Sequence, residues 1–286
     1  MAATQPRGNP RRARCYAQPL GDQETIPIEC RKIRDHEITR LICAGNPFGG
    51  YAHAGEFKYV NQLALRYFTP EKIAETLHLC LQHGVNTTLT SVLPHVIEGI
   101  ELSGELAGER IQWIAQIPPD RSTDGDYIKY AEHHIRLAAE HRAICAFVQG
   151  GQTQKLLEAG QEDLLRRFIG LIREMGMAPG VCAHVPWCIE KAEELQLGAE
   201  FYMLTLNKVG YVCDDPEAAK RTMRSIDKPF IAFKVLGAAR DDPESGFKHA
   251  LDAGADFLAV GMYDWQVKQN AELVGRLTGE RAEAKG

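Results

Sequence analysis

From Ile38 onward, short apolar runs alternate eight times with amphipathic stretches, and each stretch closes near Gly, Asn or a charged residue before the next run begins. Short apolar runs of this kind read as strands buried on both faces, whereas longer stretches with a period near 3.6 read as helices carrying one apolar stripe. The pattern predicts strands over residues 39–44, 86–90, 112–116, 144–149, 180–184, 201–206, 230–234 and 257–262. It predicts helices over 70–83, 127–141, 161–177, 186–197, 216–226, 243–253 and 267–277, with 92–109 as a further helical segment. Pro70, Pro186, Pro216 and Pro243 stand in first helical turns, where the missing N–H removes no bond. Gly84, Gly176, Gly198 and Gly254 stand where helices should end, since glycine accepts the left-handed backbone of a C-cap.

Strands alternating with helices give either a closed barrel or an open doubly wound sheet. No Gly-x-Gly-x-x-Gly follows the first strand, and eight even units suit closure, so the expectation is α/β, a (β/α)8 TIM barrel. With 286 residues the chain exceeds the roughly 250 of such a barrel, which leaves room for extensions. The expected division is a disordered tail over 1–25 and a single barrel over 26–280, with 26–38 forming a hairpin that plugs the N-terminal mouth.

Hydrophobic residues make up 44% and charged residues 25%, with a net charge of −5 spread over the chain without a long single-sign block. That balance argues against a nucleic-acid partner and for a small-molecule substrate, and a homo-oligomer is compatible with it. No apolar run reaches the ~20 residues of a membrane helix, so no membrane partner is expected. The basic opening stretch with Arg7, Arg11, Arg12 and Arg14 lacks the apolar segment of an export signal. The eight cysteines contain no Cys-x-x-Cys pair, and several fall in apolar strand or helix patterns, as structural thiols do in a reducing compartment. A cytoplasmic location is the resulting expectation.

The segments IECRKIRDHEITRLICAGNPFGG, HGVNTTLTS, GVCAHVPWCIEKA and FIAFKVLGAAR, in that order, resemble the aldo/keto reductase framework over most of the chain. The phrasings GNPFGGYAH and DFLAVGMYDWQV are also similar to bacterial barrel proteins of unassigned activity. The reductase resemblance implies a nicotinamide cofactor and a proton relay built from Asp, Tyr, Lys and His. Laid on this chain, it brings Leu89 to the Asp, Gln116 to the Lys and Gln149 to the His, and no Tyr corresponds. Neutral glutamine cannot depress the pKa of a neighbouring acid, so ordinary carbonyl reduction loses its general acid.

Catalytic groups of β/α barrels come from strand C-termini and the loops after them. There Lys234 ends the apolar run PFIAFK, a setting that would desolvate its ammonium, and His184 follows GVCA before a helix. These two and Asp264 are the catalytic candidates. Lys208 ends the preceding strand, and two lysines side by side would depress each other's pKa, as Schiff-base lysines require. Asn46, His53, Gln116, Gln149, Asn207, Lys208 and Tyr263 are candidate substrate contacts. Gly237, Arg240 and Gly261 form a candidate anion site, although Asp241 and Asp242 beside it would repel a phosphate.

Few ligand-type side chains converge, so no metal and no cofactor is expected, with NADP entering only under a reductase reading. These residues favour a lyase or isomerase acting on a small carbonyl or sugar-like metabolite without redox chemistry. An NAD(P)-dependent oxidoreductase is the first alternative, and a non-catalytic barrel that binds a metabolite or a protein is the second.

Overall fold

The computed structural model describes residues 26–51, 57, 59–119 and 126–283. The expected tail over 1–25 lies outside them. A two-stranded antiparallel hairpin, β1 (Cys30–Ile33) and β2 (His36–Thr39), precedes eight parallel strands that close into a barrel. The barrel strands are β3 (Leu41–Ala44), β4 (Thr87–Ser91), β5 (Gln112–Ile117), β6 (Cys145–Val148), β7 (Ala178–Ala183), β8 (Phe201–Thr205), β9 (Phe230–Phe233) and β10 (Phe257–Gly261). Each pairs with its sequence neighbours, and β10 closes the ring on β3 through Leu258–Leu41 to Gly261–Ala44. The expected TIM barrel is the fold observed.

Alternation along each strand divides the core in two. Ile42, Leu89, Ile114, Phe147, Phe201, Ile231 and Phe257 point into the barrel, whereas Leu41, Trp113, Ala146, Tyr202, Phe230 and Leu258 face the helices. Burial of one such large side chain is worth about 1.5–3 kcal/mol. The hairpin's Ile33 and Ile38 are 0% exposed and belong to the inner cluster, so the hairpin does plug the barrel's N-terminal end. Arg34, at its turn, donates to Glu200 and to the carbonyls of Gly176 and Met177, which ties the plug to the rim.

The helices after the strands are α3 (Pro94–Ala107), α4 (Tyr127–Glu140), α6 (Glu162–Glu174), α7 (Pro186–Glu194), α8 (Pro216–Ser225), α9 (Pro243–Ala253) and α10 (Asp264–Glu283), and α2 (Pro70–Gln82) packs on α3. Two further helices, α1 (Tyr59–Tyr67) and α5 (Gly150–Glu158), fall where the sequence predicts none. α1 buries only Ala64 and so carries no apolar stripe, while the two glycines that open α5 read as a loop. All four glycines expected at helix ends have positive φ, from 75° at Gly84 to 111° at Gly254. No helix among the described residues is long and apolar enough to cross a membrane. The seven described cysteines are free and buried, and Cys15 lies outside the described residues.

Candidate active site

The C-terminal ends of the barrel strands surround a cavity of about 610 Å³. Its floor is apolar, made by inward-facing side chains near the ends of six strands: Ala44, Leu89, Cys182, Met203, Phe233 and Ala259. Its walls come from the loops after the strands, as barrel geometry requires.

Lys234 stands in this wall because the backbone breaks the strand's alternation. Ile231 and Phe233 point into the barrel and Ala232 points out, so an extended residue 234 would turn toward the helices. Instead Lys234 adopts φ 56°, a left-handed conformation that costs a non-glycine residue about 1–2 kcal/mol, and its side chain lines the cavity. The turn is held by a hydrogen bond of 2.8 Å from the Gly237 N–H to the Lys234 carbonyl. Gly237 has φ 53°, and a Cβ there would meet Val209 Cγ2 at 2.1 Å. The Lys234 ammonium lies 5.6 Å from the ring centre of Tyr211 and 5.9 Å from that of Phe233. Burial pulls its pKa down to about 8, with Cys182 working in the opposite direction.

His184 lines the same cavity one residue beyond β7. Its Nδ1 is 2.9 Å from the hydroxyl of Thr205, a fully buried residue at the end of β8. Its ring centre is 5.3 Å from that of Phe233, so the histidine and the lysine flank one aromatic side chain. Asn46, Gln116, Gln149, Tyr263 and Gly261 also line the cavity. Gln116 Nε2 donates to the Ser91 hydroxyl at 2.8 Å, and Gln149 Oε1 accepts the N–H of Gln152 at 3.0 Å as the cap of α5. Leu89, Gln116 and Gln149 thus line one cavity, to which they present an apolar group and two neutral amides.

Other candidates stand elsewhere. Asp264 does not line the cavity: its carboxylate pairs with Lys72 at 2.7 Å and accepts from the Tyr67 hydroxyl at 2.8 Å. Burial works against its charge, but the bonds from Lys72 and Tyr67 outweigh that and hold it below the usual carboxylate range. A catalytic role for Asp264 therefore has no geometric basis here. Asn207 is fully buried and spans the backbone of Tyr211, donating to its carbonyl at 2.8 Å and accepting its N–H at 3.0 Å. It positions the Tyr211 ring rather than lining the cavity. Lys208 turns outward to Asp241, at 3.4 Å, and to the Ser245 hydroxyl, so burial and not a second ammonium accounts for the low pKa of Lys234.

The anion candidates separate too. Arg240 packs its guanidinium over the Tyr211 ring at 5.0 Å and, like Gly237, stays outside the cavity lining, which Gly261 alone of the three joins. His53 lies outside the described residues.

Several lining residues carry no clear signal in the sequence. Tyr51 and Tyr211 sit in loops without periodicity, Gln266 falls just ahead of the helix expected over 267–277 and stands in the first turn of α10, and Cys182 reads as an ordinary apolar strand residue. Trp265 has one sign that could have found it: a large aromatic in the short stretch between the last expected strand and the helix expected over 267–277. Among the described residues no group of three or more His, Cys, Asp or Glu side chains could hold a metal ion.

No family model matches the chain, and no curated protein matches it. Solved structures do. Gox0644 in its apo form is 12% identical with a TM-score of 0.60, over 86% of this chain and 88% of that one. The Amycolatopsis orientalis BexX/CysO complex gives 14% identity and a TM-score of 0.56, over 89% of this chain and 95% of that one. The carboxyl transferase domain of Rhizobium etli pyruvate carboxylase gives 12% identity and 0.53, over 80% of this chain and 41% of that one. At such identities the likeness shows a shared barrel fold. It lends the aldo/keto reductase resemblance no support beyond the barrel itself.

Proposed function

We propose that this chain is a barrel enzyme acting on a small carbonyl compound as a lyase or isomerase, with an imine at Lys234 as its intermediate. The observation that carries this reading is the inward turn of Lys234 at the end of β9, which exposes a partly desolvated amine with a pKa of about 8 to an apolar cavity. A neutral amine of that kind is the nucleophile that imine chemistry needs. Its Nζ lone pair attacks the carbonyl carbon, a C–N bond forms, and the carbonyl oxygen takes up two protons and departs as water. The resulting iminium draws in the electron pair of the adjacent C–H or C–C bond, which then breaks. His184, with Nδ1 held against Thr205, is assigned the proton transfers through Nε2. Hydrolysis of the iminium restores the amine and releases product, so the cycle consumes no oxidant or reductant.

The experiment is reductive trapping. Incubation with a panel of small aldehydes and ketones in the presence of borohydride should leave a stable secondary amine on Lys234, located by mass spectrometry of the digest. Lys234→Met should fold and give no adduct at that position. If it folds and turns over a substrate at the wild-type rate, the proposal is wrong.

A further inference from the structure

Many barrels that handle metabolites hold a phosphate at the loops after strands seven and eight, using the N-terminus of the following helix. In this barrel those strands are β9 and β10, and both helix starts are already occupied by the chain's own acids. At α9, Asp242 accepts the Ser245 N–H at 2.9 Å, and Asp241 accepts the Asp242 N–H at 3.0 Å. Of the cations beside that turn, Lys208 is engaged with Asp241 and Ser245, and the Arg240 guanidinium packs over the Tyr211 ring. At α10 the first residue is Asp264, and the Gln266 side chain accepts the Tyr263 N–H at 3.0 Å. An arriving phosphate would find carboxylates where it needs donors.

The cavity wall offers a different kind of partner. The rings of Tyr263 and Trp265 stack with centres 4.7 Å apart and planes at 24°, forming a shelf on one side of the mouth. Trp265 is nevertheless 63% exposed, so much of its surface is left open to a ligand or solvent. Tyr211 stands with Lys234 in the wall of the cavity, above a floor that includes Phe233. Among the described lining residues, Lys234 is the sole Lys or Arg, and no Asp or Glu joins it. A pocket with aromatic walls, an apolar floor and a few neutral amides suits a ligand that is mostly apolar, with one polar point to orient it. A sugar phosphate, with a hydroxyl on nearly every carbon, would set hydrogen-bonding groups against the apolar floor and the ring faces.

We infer that the substrate is a non-phosphorylated carbonyl compound whose body is apolar and about the size of an aromatic ring, seated on the Tyr263–Trp265 shelf. The carbonyl part of this inference rests on the imine chemistry proposed above; the apolar part rests on the wall alone.

The test separates the two. Binding of 3-phenylpropan-1-ol and of glycerol 3-phosphate, neither of which can form an imine, is measured by titration calorimetry on the wild-type protein and on Trp265→Ala. That substitution removes an exposed side chain and should leave folding intact. The alcohol should bind saturably and at least about tenfold more tightly than the phosphate, and Trp265→Ala should weaken it by about fivefold or more. Equal or tighter binding of glycerol 3-phosphate, or an alcohol affinity unmoved by Trp265→Ala, overturns the inference. In parallel, 3-phenylpropanal with borohydride should mark Lys234 at lower concentration than glyceraldehyde 3-phosphate does. Good alcohol binding without any adduct at Lys234 would overturn the lysine chemistry and with it the carbonyl part, while the apolar preference stands.

Discussion

At the scale of single residues, Lys234 combines two unfavourable features, a left-handed backbone and a partly buried ammonium, that packing alone does not require. Such features persist where the surrounding structure enforces them, and they concentrate at functional sites. Two results should follow. The rate of imine trapping should climb with pH and level off above about 8, whereas an ordinary lysine would keep climbing toward 10.5. The stability consequence runs the same way. Between those two values the unfolded chain binds a proton at this position that the folded chain has released, so folding stability rises with pH through that window and is constant on either side. Replacing Lys234 with Met should therefore raise stability by roughly 1–2 kcal/mol at pH 7, a gain that fades as the pH approaches 10.5, as followed by urea denaturation. The partner of His184 can be tested in the same spirit. Thr205→Val keeps the buried volume but removes the hydroxyl at Nδ1, and turnover should fall about tenfold or more with an altered pH profile and little change in KM.

Among the elements, the β1–β2 hairpin stands outside the eightfold repeat and reaches the barrel interior. Ile38 is 0% exposed in a cluster with Ile33, Ile42 and Ile114, so Ile38→Ala should cost about 2–4 kcal/mol in urea denaturation. A cost within ~0.5 kcal/mol, the range of an ordinary surface site, would mean that the hairpin does not seal the barrel. The loop between β9 and α9 shows a different economy: Gly237 lets the chain reverse sharply after Lys234, and Asp242 then starts the helix. One short segment thereby both aims the lysine and closes the helix start to anions.

For the whole molecule, the closed ring of eight parallel strands fixes where chemistry can occur, because the loops that follow the strands all meet over one end. The cavity at that end is lined by amides, aromatic rings, one histidine and one lysine rather than by a set of metal ligands. Trapping at Lys234 and the unfolding midpoint should therefore be unchanged by excess EDTA. A lower adduct yield that recovers with an added divalent cation would count against this view.

The sequence determined the barrel, the helix starts at Pro70, Pro186, Pro216 and Pro243, the glycine ends and the hairpin plug, because periodicity and cap chemistry are local properties of the chain. It also singled out Lys234 and His184, since polar residues that end apolar strands are candidates for the mouth of such a barrel. It was silent on α1 and α5, whose helical state rests on their setting and not on an apolar stripe. Only the tertiary structure decided which strand-end groups meet. Asn207 was drawn into holding a loop, Lys208 into pairing with Asp241, and Asp264 into pairing with Lys72, each partner lying far along the chain or in a turn whose shape the sequence does not spell out. The direction of Lys234 itself turned on one backbone angle. A residue that strand alternation would send outward faces the cavity because φ at that position is positive, and that sign is set by the turn at Gly237.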